Sequence, residues 1–229
     1  MVIERISTGI EGLDRLIVGF PKGKSILITG KPGDGKTVMA LHFIKERCEK
    51  KEKTAYIGIE EIKENIFEQA TAFGWNLEKY ESAGYLRFYS VLQERSAESN
   101  HSFECLIDSG FVGLLNFLES DVKNVIIDNL GLLAPDMERS QFLRQINYLI
   151  YSLEKRRCTA LIILDESTTQ NFGECVFHPF YGIIRLFRRD NPYTDSRERA
   201  IEIVKMRGVR TPIDYILFDI TNQGIKMPQ

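Results

Sequence analysis

Hydrophobic residues in this chain fall into short unbroken runs, separated by longer stretches in which they recur every three or four positions. "SILITG" (25–30), "TAYIGI" (54–59), "YLRFYSV" (85–91), "NVIIDNL" (124–130) and "TALIIL" (159–164) read as strands. Their near-continuous Ile, Leu and Val suit a parallel sheet covered on both faces rather than one wet on one side. Amphipathic stretches at 36–50, 62–73, 109–121 and 138–156 predict helices between them. Strand alternating with helix is the pattern of a doubly wound α/β sheet. The last third is patterned differently, and 181–189, 199–208 and 214–221 read as consecutive strands joined by turns. The fold class expected is α/β, a mostly parallel sheet with an antiparallel C-terminal extension.

Composition narrows the function classes. A chain of 229 residues can bury a sizeable core in one domain. A net charge of −2 advertises neither nucleic acid nor an anionic membrane. No apolar run is long enough to span a bilayer, and "MVIERISTGIEG" lacks a signal-peptide pattern. Cys48, Cys105, Cys158 and Cys175 are scattered without a CxxC, as are the three histidines. That favours reduced thiols in a cytoplasm over a disulfide framework or a zinc site.

The most specific string is "GKPGDGKT" at 30–37, which matches G-x-x-x-x-G-K-[ST] between a predicted strand and a predicted helix. Glycines at 30, 33 and 35 let backbone N–H groups curl around phosphate oxygens. The helix that follows points its N-terminal partial charge at the same anion. Gly30, Lys31, Pro32, Gly33, Asp34, Gly35, Lys36, Thr37 and Val38 are the nucleotide-binding candidates. Lys36 is expected to reach the β- and γ-phosphates and Thr37 to ligate Mg²⁺. Asp128 ends the apolar run "VIID" and is expected to hold the metal through water. One strand later, "LIILDES" offers Asp165, Glu166 or Ser167 for the γ-phosphate or its water, and spacing does not choose among them. Glu60 and Glu61 follow "TAYIGI"; if that strand is parallel to 25–30, they emerge where the nucleotide sits. A carboxylate there is placed to deprotonate an attacking water. The plainer reading is a pair of solvated charges at a strand end.

Together with "RISTGIEGLDRLIVGFPKGKSILITGKPGDGKT", "IEEIKENIFEQATAFGWNLEKYESAGYLRFY" and "KMRG" (205–208), these motifs resemble the KaiC-like branch of the RecA superfamily of ATPases. The resemblance runs nearly the whole chain and implies a RecA-like three-layer sandwich. KaiC has two such domains, and this chain has room for one, 1–229. It implies that Glu60 is the catalytic base with Glu61 in support. It also implies a homo-oligomer, commonly a hexameric ring, with ATP between subunits. Lys205 and Arg207 would then be fingers that reach the γ-phosphate held by the neighbouring subunit; without the resemblance they are only the basic end of a strand. KaiC's second domain carries adjacent Ser and Thr that it phosphorylates, and the matching stretch "VFHPF" (176–180) has no hydroxyl. Asn129, Tyr181 and Thr211 stand where the family usually has Ser, Asp and His.

The expected function is Mg-dependent ATP hydrolysis by such an oligomer, with a protein partner that the motifs do not name. One alternative is a non-hydrolysing, ATP-dependent assembly switch; both glutamates argue against it. Another is a recombinase paralogue in DNA repair. The loops expected to bind a strand, 129–139 and 167–180, hold one Arg between them and no Lys, which argues against strand binding.

Overall fold

The computed structural model describes residues 3–91 and 110–228. His101, Cys105 and the first residue of the helix predicted over 109–121 lie outside them. The described chain begins with a short antiparallel pair, β1 (Arg5–Ile6) with β2 (Phe20–Pro21), flanking helix α1 (Glu11–Ile17). Strands β3 (Ser25–Gly30), β4 (Thr54–Gly58), β5 (Leu86–Ser90), β6 (Asn124–Asp128) and β7 (Thr159–Asp165) follow. They alternate with α2 (Lys36–Glu49), α3 (Lys63–Ala72), α4 (Leu77–Ser82) and α5 (Arg139–Lys155). After α6 (Glu166–Phe172) come β8 (Gly182–Asp190), β9 (Arg197–Met206), β10 (Ile216–Thr221) and β11 (Gly224–Lys226).

Nine strands make one sheet in the order β11-β10-β9-β8-β3-β7-β6-β4-β5. β8, β3, β7, β6, β4 and β5 run parallel, and β9, β10 and β11 extend the sheet antiparallel. The unbroken apolar runs are unbroken because both faces are covered. Ile26 and Ile28 of β3 pack into one core and Leu27 into the other; Leu161 and Ile163 of β7 divide from Ala160, Ile162 and Leu164 in the same way. The first core is closed by α1, α2, α3 and α4, the second by α5 and a 3₁₀ segment, Gly110–Phe117. On α5, Phe142, Ile146, Leu149 and Leu153 recur at helical spacing and are buried. Each such side chain contributes roughly 1.5–3 kcal/mol by leaving water.

Two expectations need correction. The helix predicted to reach 121 is the 3₁₀ segment ending at Phe117. Its Gly110 sits at a left-handed φ of 62°, close under Gln145, whose Oε1 accepts the Phe111 N–H at 3.0 Å. The strand predicted over 124–130 ends at Asp128, where the chain turns into a short 3₁₀ element, Leu130–Leu133. The hydrophobic pattern did not anticipate α1, α4 or α6; α4 starts where the Asn76 side chain accepts the Lys79 N–H at 2.9 Å. No helix among the described residues is long and apolar enough to cross a membrane.

β11 is tied to the first core by a buried imidazole. His42 Nε2 accepts the Ile225 N–H at 2.7 Å, and Nδ1 stands 3.1 Å from the Gly9 carbonyl, which fixes the proton on Nδ1. Burial pushes the His42 pKa down to about 4; Lys45 adds to the shift and the Gly9 bond partly opposes it. A lowered folded-state pKa means the unfolded chain takes up the proton first. The stability from neutral His42 is therefore complete above about pH 6.5 and is lost as pH falls towards 4. Relative to His42→Gln, the wild type is expected to lose about 3 kcal/mol over that window. Urea unfolding of both proteins at pH 7 and pH 4.5 measures it; parallel losses would refute it.

Candidate nucleotide-binding site

β3, β4, β6 and β7 are parallel, so their carboxyl ends open at one edge of the sheet, and all the predicted site residues but two meet there. Gly30 ends β3, and residues 31–35 turn into α2. The turn is crowded on the β8 side: a Cβ on Gly30 would lie 2.3 Å from the Leu186 carbonyl. Gly35, at a φ of 109°, precedes the first helical residue, Lys36.

Lys36 is buried to 8% exposure, and its ammonium donates to the Gly30 and Lys31 carbonyls at 2.9 and 3.0 Å. It also lies 2.7 Å from Asp165 Oδ1. Among the three acidic and hydroxyl candidates after β7, Asp165 is the one that reaches this centre. Its other oxygen accepts from Asn129 Nδ2 at 2.8 Å. Glu166 turns towards Lys31, 3.7 Å away, and Ser167 is exposed.

Thr37 Oγ1 donates to Asp128 Oδ2 at 3.0 Å, and the same oxygen accepts from the Tyr56 hydroxyl at 2.7 Å. Burial pushes the Asp128 pKa up, while the bonds from Tyr56 and Thr37 and the charge of Lys36 pull it down. Tyr56 is itself driven well above the usual phenol range, by burial first and then by the neighbouring carboxylate, so it stays a donor. A hydroxyl and a carboxylate this close form a hard-oxygen pair that suits Mg²⁺, an ion that keeps much of its water.

Glu60 and Glu61 are brought to the same place by the end of β4. The Ile59 N–H donates to the Asp128 carbonyl at 2.6 Å, which locks the turn against β6. Gly58 lets the chain fold back, since a Cβ there would lie 2.8 Å from the Glu61 carbonyl. Glu60 is exposed and Glu61 half-buried. Both line a cleft of ≈ 380 Å³ with Lys36, Thr37, Asp128 and Asp165.

Lys205 and Arg207 are not in this cleft. Lys205 pairs with Ile183, and Gly182 with Ile26, so the two cations sit level with the start of β3, at the opposite edge of the sheet. Lys205 Nζ donates to the Phe177 and His178 carbonyls at 3.1 and 3.3 Å, and Arg207 donates to the His178 carbonyl at 3.3 Å. Burial lowers the Lys205 pKa, and Arg207 lowers it further. The Arg207 guanidinium lies 5.8 Å from the centre of the Tyr181 ring, and Arg5 holds the Arg207 carbonyl at 2.7 Å.

Sequence reasoning missed Tyr56, Gln69 and Ile220 and met Asn129 only as a departure from the family; all four lie at the cleft or its carboxylates. Tyr56 occupies an inner strand position, where an aromatic residue reads as core. Its role appears only when β4 and β6 pair in register, with Gly58 opposite Asp128.

A family model described as the ATPase KaiC matches residues 6–229. The chain belongs to the KaiC family of ATPases. A UPF0273 protein of Methanopyrus kandleri is 29% identical over 239 residues, covering 99% of this chain and 93% of that one. Another, of Thermotoga maritima, is 29% identical over 98% of this chain and 96% of its own length. The circadian clock oscillator protein KaiC of Prochlorococcus marinus is 29% identical over 99% of this chain but only 46% of its own length. The crystal structure of a KaiC-like protein from Pyrococcus horikoshii superposes over 100% of both chains with a TM-score of 0.77 at 24% identity, which shows the RecA-like KaiC fold. Family membership carries nucleotide binding of the ATPase type with it.

Proposed function

We propose that this KaiC-family chain, acting as one ATPase domain over residues 1–229, binds Mg-ATP and hydrolyses it in a head-to-tail homo-oligomer, in keeping with a hexameric ring. The observation that carries this reading is the placement of Glu60 and Glu61 in one cleft with Lys36, Thr37 and Asp128. The N–H groups of Gly33 and Gly35 and those at the start of α2, Lys36 and Thr37, bind the phosphates, and Lys36 meets the β- and γ-phosphates. Thr37 and Asp128 would hold Mg²⁺, which when bound neutralises charge on the phosphate oxygens. Glu60 accepts the proton of the water that attacks the γ-phosphorus; the bond to the ADP oxygen breaks as the new P–O bond forms. Glu61, deeper in the turn, supports Glu60, and Val38 and Ile220 line the wall beside the loop.

The opposite-edge position of Lys205 and Arg207 supports assembly. A head-to-tail contact brings one subunit's upper edge to the next subunit's lower edge and repeats around a ring, whereas a two-fold contact closes at two subunits. Their donors rest on carbonyls, not carboxylates, so positive charge is left for a phosphate. A cytoplasmic location, where ATP is at hand, belongs to the same reading; the protein partner is unidentified.

Solution mass with and without Mg-ATP, paired with phosphate release on the same sample, tests the proposal. A nucleotide-dependent rise in mass with steady release is expected. Assembly without release over hours would mark a switch instead, and neither effect would refute both.

A further inference from the structure

A carboxylate buried inside a phosphate-binding loop is an awkward neighbour for a polyanion, yet Asp34 is one. Its side chain is 1% exposed. One oxygen accepts the Lys31 N–H at 2.8 Å, and the other accepts Nε of Arg188 at 2.9 Å. The same guanidinium donates to the Pro32 carbonyl at 3.0 Å. Arg188 belongs to β8, beside β3, two residues beyond the Leu186 whose carbonyl crowds Gly30. One side chain from a neighbouring strand thus grips the loop at two points. Other cations on that side are already engaged: Arg185 and Arg189 face Glu202 and Glu198. Arg188 is thus the β8 cation turned onto the loop.

We propose that Arg188 is a positioning residue for phosphate recognition. Its guanidinium cancels the charge of Asp34 and holds the loop so that N–H groups, not an uncompensated carboxylate, face the nucleotide's phosphates. A charge this buried is poorly screened, so an unpaired Asp34 repels a triphosphate across the few ångströms of the loop. This inference rests on the nucleotide-binding reading above.

The test is Mg-ATP affinity by calorimetric titration, with adenosine measured by competition and thermal unfolding recorded for each protein. Arg188→Ala and Arg188→Gln are each expected to weaken ATP binding about tenfold while adenosine changes little, because the loss falls on the phosphates. Arg188→Lys keeps the charge and is expected to stay within about threefold of wild type. Adding Asp34→Asn to Arg188→Ala removes the stranded charge and is expected to restore most of the affinity. ATP affinity unchanged in Arg188→Gln, equal losses in the Lys and Gln variants, or no recovery in the double variant would each overturn the inference. Wild type that binds no ATP would instead remove the nucleotide reading beneath it.

Discussion

Glu60→Gln is expected to lower ATP turnover by about 10²–10⁴-fold while leaving Mg-ATP affinity within a few-fold of wild type. The amide keeps the size and polarity of the side chain and loses only its ability to take a proton. Glu60 lines the cleft but makes no contact that builds the phosphate loop, so binding has no reason to fall. Glu61→Gln is expected to cost less, about tenfold, because a supporting carboxylate acts through its neighbour. Single-turnover phosphate release with saturating ATP separates the two steps. Turnover in Glu60→Gln equal to wild type would remove Glu60 as the base, and a larger loss in Glu61→Gln would exchange the roles.

Arg207→Ala is expected to lower turnover by about 10³-fold or more, as loss of a finger on the transferring phosphoryl does elsewhere. Lys205→Ala, which removes the other donor to the His178 carbonyl, is expected to follow with a smaller loss. The sharper result comes from mixing. Arg207→Ala subunits retain Glu60, and Glu60→Gln subunits retain Arg207. In a head-to-tail assembly mixed one to one, roughly a quarter of the sites combine an intact base with an intact finger. Two inactive proteins are therefore expected to regain about a quarter of wild-type activity on mixing. No recovery after verified subunit exchange would place both residues on one site, or the finger on none. The first outcome contradicts the sheet register, which holds Arg207 at the level of β3's start.

The legible parts of this protein are those in which one short segment carries its own physics. The phosphate loop is fixed locally by three glycines and a lysine that opens a helix, so residues 30–37 could be read at a glance. The inner strands β3, β4, β6 and β7 were legible because burial on both faces forbids polar interruptions. Residues 109–121 misled because an apolar run with two glycines reads as a helix, while packing against Gln145 draws Gly110–Phe117 into a tighter 3₁₀ coil.

By itself the sequence determined the α/β class, the phosphate loop, and the presence of carboxylates after three strands. Each follows from neighbours along the chain. The tertiary structure alone decided which carboxylates meet at the loop and what each one touches. Parallel pairing carries Asp165 onto Lys36 and leaves Glu166 outside, and the β4–β6 register sets the Tyr56 hydroxyl on Asp128. The β3–β8 pairing puts Arg188 on a loop 154 residues away and Lys205 and Arg207 at the far edge. Such pairings are set by burial and hydrogen bonding summed over whole strands, which no single segment records.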